Sequence, residues 1–337
     1  MNIKVVAEKA GVSITTVSRV MNTPEKVNEK TLARVLATME ELNYTPNWFA
    51  RNLHNNRTNV IGVLVPDNMQ LNSMAVAKGI EKIAMQKDSN IILCNTDYDP
   101  GNEMKTLRTL VERKVDGVVI VESSASQDGL EYLNEHKVPF VLVDKPLGEC
   151  KENIIYTNYE EVSAEVIDYM ASMNRKNIAL MLPSKQETVN ELKKHGYMVG
   201  LERNNLQYNE TLVITVDDSL EGGFSATSKL IKTAKIDAIF AATDKLAFGA
   251  IEAMHQNNLD QEKLGIIGFD GLDLGAIVEP KLTTVIKPSY RMGLTAGRVL
   301  YDLIETDGNE EPQQILLRSK LKIRKSCGNR ERVLEIW

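Results

Sequence analysis

The chain is poor in aromatic residues, at 5% of its 337 residues, and it has only three cysteines and four histidines. Cys94, Cys150 and Cys327 are odd in number and far apart, which excludes a disulfide framework and a cysteine zinc cluster. They are expected to be reduced thiols. The histidines His54, His136, His195 and His255 form no metal-spaced pair. No apolar run is long enough for a bilayer-spanning helix, and the charged N-terminus (Lys4, Glu8, Lys9) lacks the apolar segment of a signal peptide. The expected location is the cytoplasm, with no membrane partner. Also missing are a G-x-G-x-x-G after a strand, a Walker-type phosphate loop and a G-x-S-x-G elbow. No enzyme activity and no cofactor are expected.

Charge is present but uneven. Residues 1–58 hold eight Lys and Arg against five acids, a balance of +3, while the whole chain stands at −6. A basic head on an acidic body suits contact with phosphates through the head alone.

The head carries the most informative stretch, AEKAGVSITTVSRVMN at residues 7–22. Ala7 permits close approach of two helices. Gly11 stands where a tight turn needs positive φ. Ser13 is a natural N-cap for a second helix opening at Ile14, and Val17 points back into a small core. That helix presents Ile14, Thr15, Thr16, Ser18 and Arg19, groups suited to base edges, thymine methyls and phosphates. The same spacing also fits an ordinary helical hairpin. A third helix, capped by Asn28, runs from Glu29 to about Leu42 on the period of Leu32, Val35, Leu36, Met39 and Leu42. Pro46 closes the head. The segment Asn47–Thr58 reads either as a marginal helix that folds on a partner or as a plain linker.

From Val60 the pattern changes to short apolar runs separated by amphipathic stretches. The runs are VIGVLV, IILC, GVVIV, FVLV, IALML, LVITV, AIFAA and LGIIGF. They predict two doubly wound parallel sheets covered by helices, with a ligand cleft at the carboxyl ends of the strands. Acids follow several strand ends: Asp67, Asp97, Glu122, Asp144, Asp218, Asp244 and Asp270. Each carboxylate can accept two hydroxyl hydrogen bonds, as a polyhydroxylated ligand requires. Each also suits a cap or turn, and Asp244 opens the helix DKLAFGAIEAM, where capping is a concurrent role.

Taken in order, AEKAGVSITTVSRVMN, YTPNWFARNL, IGVLVPD, FAATDKLAFGAIEA and IIGFDGLDLG with PKLTTV resemble the lactose-repressor (LacI) family of bacterial transcription regulators over essentially the whole chain. NIILCNTDYD and the stretch around Arg298 are most similar to its catabolite control protein A branch. The resemblance implies a head over 1–46, a hinge helix and linker over 47–58 and a two-lobed, periplasmic-binding-protein-like core over 59–337. The first lobe would be 59–158 with 290–318, the second 159–289 with 319–337. It implies a homodimer on a palindromic operator in double-stranded DNA. The tail SCGNRERVLEIW is too short for the leucine-repeat helix that makes tetramers. The expected function is a repressor of carbohydrate genes, controlled by an effector that closes the cleft.

By the same resemblance, Ile14, Thr15 and Arg19 read the major groove, and Ser13, Thr16, Ser18 and Asn22 support them at the backbone. Asn47, Ala50 and Arg51 lie on the hinge helix, Leu53 wedges into a central base step, and Arg57 holds a phosphate. Asp67, Asp144, Lys193, Asp218, Asp244 and Asp270 are the expected effector contacts. The expected effector is a small sugar, sugar acid or sugar phosphate; Lys193 stands where sugar-responsive members carry Arg, and a lysine suits a phosphate or carboxylate better than a clamp on sugar hydroxyls. Tyr290 and Arg298 match residues that hold a serine-phosphorylated phosphocarrier corepressor in the catabolite-control branch, the alternative partner. Asp302 stands where that branch has Lys, an acid that would repel a phosphoserine. Val5 replaces the usual Asp of the first turn, and Trp48 and Phe49 replace smaller hinge residues.

Overall fold

The structure, a computed structural model, describes residues 2–44, 57–122, 127–144, 152–185, 187–306 and 311–329. Two compact units emerge, one of residues 1–60 with 114–116 and one of residues 61–113 with 117–337.

In the first unit, α1 (Ile3–Ala10), α2 (Ile14–Asn22) and α3 (Glu29–Glu41) enclose Val6, Ala7, Ala10, Val17, Val20 and Val35. Local chemistry sets each boundary. Gly11 closes α1 at φ 62°, ψ 41°, returning its N–H to the Ala7 and Glu8 carbonyls. Ser13 caps α2 by accepting the Thr16 N–H at 3.1 Å, and Asn28 caps α3 by accepting that of Lys30 at 2.9 Å. Tyr44 packs on the same core and marks its end. Within the same unit, Thr58 and Asn59 donate their N–H groups to the Asp116 carboxylate at 2.6 and 2.7 Å.

The second unit holds two six-stranded sheets. The first has the order β11 (Gln314–Leu316), β5 (Ile154–Tyr156), β4 (Phe140–Val143), β3 (Gly117–Val121), β1 (Val60–Val65), β2 (Asn90–Asn95). The second has the order β12 (Lys320–Lys322), β10 (Thr283–Ile286), β9 (Gly265–Asp270), β8 (Ala238–Ala241), β6 (Ile178–Pro183), β7 (Val213–Val216). Central strands such as β3, β6 and β8 are buried along their whole length, because helices cover both faces. On the first lobe these are α4 (Leu71–Gln86), α5 (Pro100–Glu112), α6 (Gln127–Glu135) and α11 (Ser289–Glu305). On the second they are α7 (Tyr159–Ser172), α8 (Glu187–Arg203), α9 (Leu220–Thr233) and α10 (Asp244–Gln256). Gly79 and Gly293 let α4 and α11 touch backbone to backbone, since a Cβ on either would collide with Tyr290 O or Val76 O.

The doubly wound reading holds, with two differences. β12 runs antiparallel to β10. Four strands beyond the eight apolar runs, β5, β10, β11 and β12, complete the sheets; three of them have only three residues, too few to show a periodic signal. The chain crosses between lobes after β5, after β10 and after β11. The first and last crossovers are laced together: Thr157 Oγ1 donates to the Leu317 carbonyl at 2.8 Å and lies 2.7 Å from Ser319 Oγ, while the Ser319 N–H donates to Asn158 Oδ1 at 2.8 Å. The middle crossing falls at residues 287–288, one or two residues before the expected boundary. Among the described residues no helix is long and apolar enough to cross a membrane, and no group of His, Cys, Asp or Glu is placed to hold a metal ion.

Candidate nucleic-acid face and interlobe cleft

α2 divides cleanly into two faces. Val17 and Val20 are buried. Ile14 is 44% exposed, and Thr15 and Arg19 are exposed beside it. Ile14 lies outside this unit's core cluster, so its exposed surface has the apolar character that suits a thymine methyl. Ser13 and Thr16 hydroxyls lie 2.9 Å apart and are engaged with each other as well as with the cap. The first turn of α2 carries no acid, which leaves its positive dipole end open to phosphate. Ser18 is half-buried, and Asn22 is the last residue of the helix. Arg57 is exposed. Asn47, Ala50, Arg51 and Leu53, with Trp48 and Phe49, lie outside the described residues.

In the second unit a cavity of about 140 Å³ opens between the lobes. It gathers Lys193, Asp218 and Asp270 from the expected set, with Asn72, Glu122, Tyr159 and Lys287. Asp67 lines a neighbouring cavity of about 120 Å³ together with Asp97, Asp218 and Lys245, and its Oδ1 accepts the Met69 N–H at 2.8 Å.

Two expected contacts are placed elsewhere. Asp244 is fully buried, accepting Thr284 Oγ1–H at 2.6 Å and the Leu272 N–H at 2.7 Å. It ties β9 and β10 to α10 and does not line the cavity. Nor does it cap α10: Thr243 does, accepting the Leu246 N–H at 3.3 Å. Burial pushes the Asp244 carboxyl up to about 6, against the hydrogen bonds from Thr284 and Leu272. Asp144, 2% exposed, lines a separate cavity of about 420 Å³ that shares Tyr159 with this one, and its Oδ2 is 2.6 Å from the Lys287 ammonium and 3.0 Å from the Tyr159 hydroxyl that donates to it.

Lys287 thus lies among two carboxylates, since Glu122 Oε1 is 3.4 Å away, and its third donor goes to Tyr159 at 2.8 Å. Burial opposes its charge, but Asp144, Tyr159 and Glu122 outweigh burial and hold it well above the ordinary lysine range. Glu122 also accepts the Tyr98 hydroxyl at 3.2 Å.

Lys193 differs. It is 2% exposed, lies 4.2 Å from the centre of the Phe269 ring, and donates to the Ala242 carbonyl at 2.7 Å. Burial lowers it to about 8, with Asp270 as the chief opposing charge. Asp270 is raised by burial to about 7, with Lys193 as the chief lowering charge. Asp270 is also held at φ 131°, a conformation that L-residues avoid, at a cost of about 1–3 kcal/mol. Its Oδ1 accepts Asn72 Nδ2–H at 2.9 Å across the cleft.

The description "Bacterial regulatory proteins, lacI family" matches residues 2–47, and "Periplasmic binding protein domain" matches residues 61–310. Catabolite control protein A of Priestia megaterium is 33% identical over 305 residues, covering 89% of this chain and 92% of that protein. The regulator DegA of Bacillus subtilis is 34% identical over 331 residues, covering 95% and 96%. The chain belongs to the LacI family. It is a DNA-binding transcription regulator, and its relatives are regulators rather than enzymes. Among solved structures, a LacI-family regulator from Enterococcus faecium with bound ribose superposes with a TM-score of 0.72 at 27% identity, covering 79% of this chain and 98% of that one.

In this LacI-family regulator the helix α11 carries both expected corepressor contacts on its surface. Tyr290 is 42% exposed and Arg298 is exposed, about 12 Å farther along the axis. Asp302 is exposed one turn beyond Arg298.

Sequence reasoning missed Asn72, Tyr159 and Lys287 as cleft residues. Lys287 follows β10, a strand it did not recognise; a Lys directly after the apolar-threonine run TTVI was the available signal. Tyr159 opens a helix and Asn72 lies in the first turn of another, positions that look like ordinary surface.

Proposed function

We propose that this LacI-family regulator is a homodimeric repressor of carbohydrate genes whose cleft takes a compact hydroxylated ligand with one anionic group, a sugar acid or sugar phosphate. The carrying observation is Lys193. Its ammonium is buried at the cavity, and among the described residues its one hydrogen bond goes to a backbone carbonyl, which leaves two donors for a ligand. Asp218 and Asp270 line the same cavity and supply acceptors for hydroxyl groups. The ribose-bound relative supports a sugar-sized ligand in this fold. Ligand closure would alter the spacing of the paired hinge segments and so the grip of two heads on one palindrome.

Isothermal titration with ribose, gluconate and ribose 5-phosphate tests the effector reading. The anionic sugars bind more tightly than ribose, and Lys193→Met removes that preference. Equal affinity for all three in both proteins overturns it. Operator selection from genomic DNA fragments enriches a palindrome, and sedimentation gives a dimer mass.

A second reading, a serine-phosphorylated phosphocarrier protein bound at Tyr290 and Arg298, is favoured by the exposure of both residues on one helix. Binding of the phosphorylated and not the unphosphorylated carrier, lost in Arg298→Glu, would establish it.

A further inference from the structure

Asn72 lies in the first turn of α4, on the first lobe, yet its amide meets a carboxylate of the second lobe. The Nδ2 group donates to Asp270 Oδ1 at 2.9 Å. The other end of the amide is also fixed: Oδ1 accepts the Ser289 hydroxyl at 3.1 Å. Ser289 is buried and is the first residue of α11, directly after the middle crossover. A carboxamide with both ends engaged cannot flip, so its N–H edge is held toward Asp270. Three elements from both lobes, α11, α4 and the tip of β9, are therefore joined in one line of hydrogen bonds.

The acceptor in this line is an unusual one. Asp270 has a strained backbone at φ 131°, and its carboxylate lines the same cavity as Lys193. A strained residue persists where its surroundings over-determine it, and the cross-cleft bond is one of those restraints.

We infer that Asn72 is a positioning residue: buttressed by Ser289, it latches the lobes together through Asp270 and aims that carboxylate at whatever occupies the cleft. The latch rests on the cleft being the effector site only for its second part. Closure itself follows from the geometry alone, and the test reads the two apart.

Small-angle X-ray scattering of the full chain without any ligand measures closure directly. Asn72→Ala opens the core, increasing the radius of gyration over that of the parent, with circular dichroism confirming an unchanged fold. Ser289→Ala, which frees the amide to flip, gives a smaller increase in the same direction. Asn72→Asp adds a pH readout that a packing role would not give. The charged groups facing Asp270 are Lys193 from α8, Lys287 from the middle crossover, Asp218 from the tip of β7 and Asp244 from α10. Two carboxylates across the cleft repel when both are ionised and share a proton when one is not. The Asn72→Asp protein is therefore more open at pH 8.5 than at pH 5.5, since the pair loses its shared proton as pH rises. Scattering curves of Asn72→Ala and Asn72→Asp that superpose on the parent at both pH values overturn the latch. If the latch holds and the effector reading fails, the variants still open while no sugar binds.

Discussion

The head and the cleft solve opposite problems with polar groups. In the head, the helix-start and helix-end polar side chains find partners two to four residues away, Ser13 with Thr16, Asn28 with Lys30, Thr38 with Arg34, and the exposed Lys9–Glu41 pair is the long-range contact beside them. Ile14, Thr15 and Arg19 then face water. In the cleft, the partners are far apart in sequence: Lys193 with Ala242, Asn72 with Asp270, Ser289 with Asn72, Lys287 with Glu122. Lys193, Asp270 and Lys287 are buried there and depend on one another's charge. A surface that meets a charged polymer can be stable before its partner arrives. A pocket that closes on a small ligand must hold charges in low dielectric while empty, and two lysines and several acids do so by mutual compensation.

The sharpest way to separate the two regions is to place a charge in the head's core. Val17→Asp puts a carboxylate at a fully buried position. Specific operator binding falls by about 10³-fold or more, to the non-specific level, while the melting of the second unit is unchanged. A parallel loss of core stability would show that the two regions are not independent.

The reciprocal test is Lys287→Met. It leaves Asp144 and Glu122 buried without their ammonium. Removing one partner of a buried network costs roughly 3–5 kcal/mol. Denaturant unfolding of the core shifts accordingly, and hydrogen exchange in α2 does not.

Next in size is a pH dependence confined to the cleft. Asp270 is raised from 3.8 to about 7, so the folded state binds more protons than the unfolded between those values, and stability falls as pH rises through that window. Lys193 is lowered from 10.5 to about 8, so the folded state binds fewer protons between 8 and 10.5, and stability recovers as pH rises there. Core stability is therefore lowest between pH 7 and 8. Asp270→Asn reduces the falling limb to the part that Asp244, raised to about 6, contributes, and Lys193→Met removes the rising one. Denaturant midpoints measured across pH check both limbs.

The smallest effect belongs to Ser13→Ala. The cap of α2 is lost at about 1 kcal/mol, exchange of the first-turn amides quickens, and operator affinity drops by about tenfold or less.

The same contrast in sequence range decides what could be read from the chain. Gly11, Ser13 and Asn28 act on neighbours in the same turn, so spacing alone placed the three helices. The central strands were visible as unbroken apolar runs because both their faces are covered. Asp244 was misplaced because a strand-tip acid looks the same whether it faces a cleft or, as here, the Thr284 hydroxyl forty residues on. Asn72 was invisible for a related reason: nothing near it in sequence marks an amide whose partners are Ser289 and Asp270.

The lobe-swapping path of the chain also constrains how the protein is made. The first lobe's core needs Met292, Ala296, Val299 and Leu300 from α11, and the last edge strands of the two sheets follow at β11 and β12. A ribosome that has delivered β1 to β5 must build nearly the whole second lobe before the covering helix emerges. At typical elongation rates that interval is on the order of ten seconds. Throughout it, α4 covers its share of the nascent sheet's face through Val76, Ile80 and Ile83, while the part that awaits α11 stays exposed, so the first lobe finishes folding only after most of the second has been made.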